Sequence, residues 1–216
     1  MQNIPLFTTE NGVASLTLQE IPYTSKAYIR IQSSCAPEML LNECVDFCVA
    51  LGAEKIYATG NEALTDYPLH ATILQMQRPK EGLPQTDACL FPVQEGTLTQ
   101  WRDIYNDRMK NISNSVYMTL SEAKKLLQQG KAYFVHKNET LLGIGVASGD
   151  RIDAVISLIP GAGEAVLLAL TNALFSEEIL LEVASDNIRA IRLYERLGFV
   201  KTKEISQWFK IYDNVK

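Results

Sequence analysis

The sequence predicts an α+β fold, helices set against a mixed parallel and antiparallel sheet, with a smaller N-terminal part in tandem with a larger C-terminal one. Two patterns carry the prediction: stretches that alternate apolar and polar residues with period two, and between them stretches whose apolar residues recur every three or four positions and end at glycines. Composition bounds it. The 216 residues are 47% hydrophobic and 21% charged, as expected of a globular chain long enough for a full core.

In chain order, 13–21 and 26–32 alternate with period two and read as strands, with Pro22 in their connection. Pro37 suits a first helical turn, and Met39, Leu40, Cys44, Phe47, Cys48 and Leu51 continue a helix that Gly52 stops. Strands over 55–59 and 69–76 complete this part. The polar, turn-rich run from Arg78 then marks a boundary, giving residues 1–80 as a partial domain, 81–88 as linker and 89–216 as the main domain.

The second part opens with a short strand at 89–93 and a helix marked by Leu98, Trp101, Ile104, Tyr105 and Met109. Thr119 and Glu122 form a capping-box pattern that opens another helix, ended at Gly130. Strands over 132–136, 141–147 and 152–159 should form an antiparallel meander. A glycine-bearing turn from Pro160 leads into a helix over 163–174, followed by a strand at 179–184, a helix at 187–197 stopped by Gly198, and strands at 199–202 and 207–212. Gly12-Val-Ala-Ser and Gly145-Val-Ala-Ser each introduce a strand, strand, helix, strand order, which suggests a degenerate half-repeat. A partial sheet with one helix leaves a face and an edge to cover, so residues 12–78 are not expected to fold alone.

Several function classes are disfavoured. With 20 Lys and Arg against 25 Asp and Glu, the net charge of −5 repels phosphate backbones, so no nucleic-acid partner is expected. No stretch approaches the ~20 apolar residues of a membrane span, and the first five residues lack a secretory pattern, which makes the cytoplasm the expected location. Cys35, Cys44, Cys48 and Cys89 show no C-x-x-C spacing and His70 and His136 stand far apart, so no metal is expected. Cys44 and Cys48 share a helix face as small buried hydrophobes, and His136 reads as structural.

Chemistry concentrates after the strand at 179–184. Asp186 or Asn187 can cap the next helix, Ala190 is small enough to admit a close approach, and Tyr194 lies two turns beyond Asn187 on the same face. The string Asn187-x-x-Ala190-x-x-Leu193-Tyr194-Glu195-Arg196-x-Gly198-Phe199 resembles the C-terminal motif of the GNAT superfamily of acyl-CoA-dependent N-acyltransferases. The element order from about Leu90 resembles the whole GNAT domain, and the first part resembles a partial GNAT-like copy without that motif.

The resemblance implies acetyl-CoA as acyl donor and an amine of a small molecule, peptide or protein as acceptor, joined by direct attack without a covalent enzyme intermediate. It implies that the strand around Ser157, Leu158 and Ile159 holds the cofactor and that Ser157 or Leu158 offers an N–H to the oxyanion. The pyrophosphate would meet the amides of Gly161, Ala162, Gly163, Glu164 and Ala165. Asn187 and Ala190 would line the cofactor, and Tyr194 would bind it and protonate the leaving thiolate. Asp153 and Glu182, on the strands flanking the cleft, are the candidate bases. Pro160 stands where the family usually has Arg or Gln, and Glu164 adds a negative charge, so weak acetyl-CoA affinity is expected. The resemblance leaves room for a homodimer, and the alternative reading is a non-catalytic GNAT-fold protein for ligand binding or assembly.

Overall fold

The structure, a computed structural model, describes residues 5–113 and 115–214; the opening residues read for a leader therefore lie mostly outside it. The chain divides into two units, Met1–Ile73 with Glu204–Lys216, and Leu74–Lys203. The boundary falls earlier than expected, and the last thirteen residues belong to the first unit rather than the second. Side-chain chemistry explains the return of the C-terminus: Phe209 is apolar, lies opposite Ala58, and completes the first unit's core.

The first unit contains β1 (Leu6–Thr9), β2 (Gly12–Thr17), α1 (Ile21–Thr24), β3 (Lys26–Ser34), α2 (Pro37–Ala50), β4 (Lys55–Thr59) and the start of β5 (Leu69–Pro79). β2 pairs antiparallel with β1 and β3, and α2 carries the chain over to β4, which lies parallel to β3. Leu40, Leu41, Cys44 and Cys48 of α2 pack on Ile29, Ile31, Ile56 and Ala58. The expected strand at 13–21 stops at Thr17, because Ile21-Pro22 starts a single helical turn whose first positions tolerate proline. β1 gave no signal; four residues become a strand only by pairing with β2.

The second unit holds β6 (Cys89–Pro92), α3 (Leu98–Met109), α4 (Leu120–Gln128), β7 (Ala132–Lys137), β8 (Thr140–Ser148), β9 (Arg151–Ser157), α5 (Gly163–Thr171), β10 (Glu178–Ala184), α6 (Ile188–Arg196) and the start of β11 (Val200–Asp213). β7 through β9 form the expected antiparallel meander, β6 pairs antiparallel with β7, and β10 joins β9 in parallel. α3 and α4 cover one face, where Trp101 is fully buried against Ile144, Val146 and Ile156 and its indole N–H donates to Tyr133 O at 3.0 Å. α5 and α6 belong to the other core cluster. Every residue from Val166 to Thr171 is buried, which accounts for an apolar run without an exposed stripe.

Two glycines let α5 come close. A Cβ on Gly143 would stand 2.8 Å from Val166, and one on Gly145 only 2.3 Å from Leu170, so these alternate positions of β8 receive a pair of residues one helical turn apart. The half-repeat survives in element order, since β2-β3-α2-β4 parallels β8-β9-α5-β10. Its four-letter match does not, because Gly12 begins β2 whereas Gly145 lies inside β8. β11 is one 14-residue strand where two were expected; its polar middle has no apolar pattern, and the Thr202 hydroxyl donates to Gln75 of β5.

Candidate active site

A gap between two parallel strands makes the site. β9 and β10 pair only at Arg151 with Leu180 and Ile152 with Leu181, and no ladder contact follows. On its other edge β9 stays bonded to β8 up to Leu158, whose N–H donates to Leu142 O at 2.8 Å. Bonded and non-bonded pairs alternate in an antiparallel ladder, so the N–H groups of Val155 and Ser157 point away from β8, into the gap. Of the two residues expected to serve an oxyanion, Ser157 has an amide that faces the gap, whereas that of Leu158 is bonded to Leu142. The Ser157 hydroxyl donates to Ile159 O at 2.6 Å and fixes the start of the turn.

The turn leads straight into α5. Gly161 adopts φ +86°, a left-handed conformation suited to glycine, and no heavy atom lies within 4 Å of where its Cβ would be. Ala162 caps α5 without a side-chain acceptor, which leaves the first amides, those of Gly163, Glu164 and Ala165, without a side-chain cap; α4 and α6 instead receive one from Thr119 and Asn187. Open space and uncapped amides fit the diphosphate of a CoA cofactor. Pro160 contributes no N–H, and Glu164 opposes the fit with its charge.

α6 lies beside this turn. A Cβ on Gly163 would be 3.3 Å from Leu193, and Arg196 Nη2 reaches Glu164 Oε2 at 3.0 Å. Asn187 Oδ1 accepts the Ala190 N–H at 3.2 Å, so its carbonyl caps the helix and only its NH2 remains to donate elsewhere. Tyr194 is 7% exposed and shares one apolar cluster with Val155 of β9, Val183 of β10, Ala162 of the turn and Ala165 of α5. Its ring contacts Phe199 at 5.9 Å, and its hydroxyl makes no hydrogen bond to a described residue. Burial pushes the phenol up to about 12, which keeps it a proton donor at neutral pH.

The same architecture recurs in known structures. A GCN5-related N-acetyltransferase from Sphaerobacter thermophilus matches 94% of this chain and 78% of its own at 12% identity and a TM-score of 0.59. A functionally unknown conserved protein from Staphylococcus epidermidis matches 100% and 96% at 11% identity and 0.60. A tandem GNAT protein from the clavulanic acid biosynthesis pathway matches 93% and 79% at 11% identity and 0.52. This is a GNAT fold. No protein-family model and no curated protein matches the sequence.

Within the GNAT fold, the two expected bases sit at the closed end of the gap. Arg151 Nη2 binds Glu182 Oε1 at 2.6 Å, and Arg151 Nε lies 3.6 Å from Asp153 Oδ1. Four residues of strand, roughly 13 Å, separate Asp153 from Ser157. Both carboxylates are thus engaged by a guanidinium and distant from the amide that faces the gap, and neither is retained as a base.

Sequence reasoning missed a cavity of about 560 Å³ lined by Thr99, Gln100, Asp103, Ile104, Asp107 and Arg108 of α3, together with Leu158. Its only signal was the i, i+4 pair of aspartates, indistinguishable in sequence from a solvated helix face. The first unit has no equivalent gap among its described residues, since β3 and β4 pair at five successive positions from Lys26 with Lys55 to Arg30 with Thr59. Its aromatic face, where Tyr28 stacks on Tyr57 and Tyr57 on His70, was likewise not read from the sequence.

Proposed function

We propose that this chain is an N-acyltransferase that uses acetyl-CoA to acylate an amine of a small molecule, peptide or protein. The observation that carries the reading is the gap between β9 and β10, with the uncapped N-terminus of α5 directly after it. Bound acetyl-CoA supplies an acyl thioester and a thiolate leaving group. The α5 amides hold its diphosphate, and the Ser157 N–H holds the charge that develops on the acyl oxygen. Tyr194 donates a proton to the departing sulfur, and the buried phenol suits that role because it stays protonated. The amine approaches through the cavity on α3 beside Leu158, where solvent can take the ammonium proton; Asp103 and Asp107 in its lining are already paired with Arg102 and Lys110, so the cavity carries little net charge to select the acceptor. Four unpaired thiols suit the reducing cytoplasm, and no described helix is long and apolar enough to cross a membrane.

A second reading, a non-catalytic GNAT-fold protein for ligand binding or assembly, is favoured by Pro160 and Glu164 at the diphosphate turn. Calorimetric titration of the full chain with acetyl-CoA separates them. Saturable heat is the expected outcome, with affinity weakened by these two residues. No binding at millimolar cofactor would favour the non-catalytic reading.

A further inference from the structure

The acidic residue in the first turn of α5 is the least expected feature of a diphosphate site. Glu164 sits where orphan amides and the helix dipole attract anions, so its carboxylate competes with any phosphate for the same positive potential. It is not alone. Arg196, in the last turn of α6, donates to Glu164 Oε2 at 3.0 Å, across 32 residues of sequence. The approach of the two helices is set by packing, because Leu193, one turn before Arg196, would stand only 3.3 Å from a Cβ on Gly163. Arg196 is therefore delivered to the turn by the same contact that delivers Tyr194's helix.

We propose that Arg196 is the built-in counter-ion of Glu164, and that this pair keeps the α5 turn able to accept a diphosphate. The inference rests on the acyl-CoA reading above. Pro160 removes the basic or amide side chain usual before such a turn, and Glu164 adds a charge of the wrong sign. Arg196 offsets that charge from a different element. With the guanidinium bound, the turn presents its amides to a ligand without a net negative charge beside them. The pair is exposed, with side-chain accessibilities of 62% and 41%, so its effect is greatest at low ionic strength.

A double-substitution cycle on binding tests this without any acceptor amine. The full-length chain and its Glu164→Gln, Arg196→Met and doubly substituted forms are titrated calorimetrically with CoA at low salt. Arg196→Met is expected to weaken binding about 10-fold, because Glu164 is left uncompensated, and Glu164→Gln to tighten it about 3- to 10-fold. Once Glu164→Gln is in place, adding Arg196→Met should cost less than about 3-fold. An equal loss with and without Glu164→Gln would overturn the counter-ion role while leaving the acyl-CoA reading intact, since Arg196 would then contact phosphate directly or act elsewhere. If the unsubstituted chain binds no CoA, both the inference and the reading beneath it fall. Melting temperatures near that of the parent chain are expected for all three forms, as the pair is at the surface.

Discussion

Tyr194 joins a buried ring to a hydroxyl with no partner among the described residues, and the two halves of the side chain can be tested apart. Tyr194→Phe keeps the contact with Phe199 and deletes the proton donor. Turnover with any amine that proves to be a substrate should fall roughly 10- to 1000-fold, with CoA affinity nearly unchanged. If the hydroxyl only braced the helix, the melting temperature would drop and the rate would hold. The raised phenol also has a stability consequence. Its folded-state value lies above the ordinary one near 10, so burial favours the protonated form. That contribution is complete below about pH 10 and is lost as pH rises toward 12. Over that window the parent chain should lose stability relative to Tyr194→Phe, read as a growing shift of its melting temperature against that of the variant, because the phenylalanine form has no proton to lose. Cys44 and Cys48 follow the same physics: both are fully buried, and their thiols are pushed up to about 12 and 11, which leaves them packing residues.

α6 is held at both ends by different means. Asn187 caps its start, and at its finish Arg78 donates to Leu197 O, with further bonds to Pro79 O at 2.6 Å and Glu81 O at 2.8 Å. Two residues on, Lys80 ties the segment that follows α5, through Glu177 O at 2.6 Å and Leu174 O at 2.7 Å. The stretch that reads as a domain boundary is therefore a clasp on the exits of α5 and α6. Arg78→Ala removes the donor to a helix C-terminal carbonyl and should destabilise the chain by about 1–3 kcal/mol, seen as a lower melting temperature. An unchanged melt would show that solvent satisfies Leu197 equally well. Elements with a period of their own were legible in the sequence, such as β7 to β9, or α4 with its reciprocal Thr119 and Glu122 cap. Asn187 and Tyr194 were legible because both lie on one helix. Arg78 on Leu197, Arg196 on Glu164, and the cavity beside Leu158 were not. Each joins residues far apart in the chain, and only packing brings them together.

The chain as a whole begins and ends in the same unit. Phe209 and Lys210 of β11 lie opposite Ala58 and Tyr57, closing the edge of β4. A fragment ending near Lys80 lacks that strand and part of the core around Phe209, so it should show no cooperative melt as a monomer. A sharp two-state transition from that fragment would mean that β11 adds little. Duplicated folds often invite the assumption of duplicated sites, and here the strand pairing argues against it. The parallel pair in the first unit is hydrogen-bonded along the whole of β4, so no amide of that seam is left for a ligand, whereas the second unit releases its strands after two positions. The stoichiometry of cofactor binding should accordingly be one equivalent per chain, not two, despite the repeated order of elements.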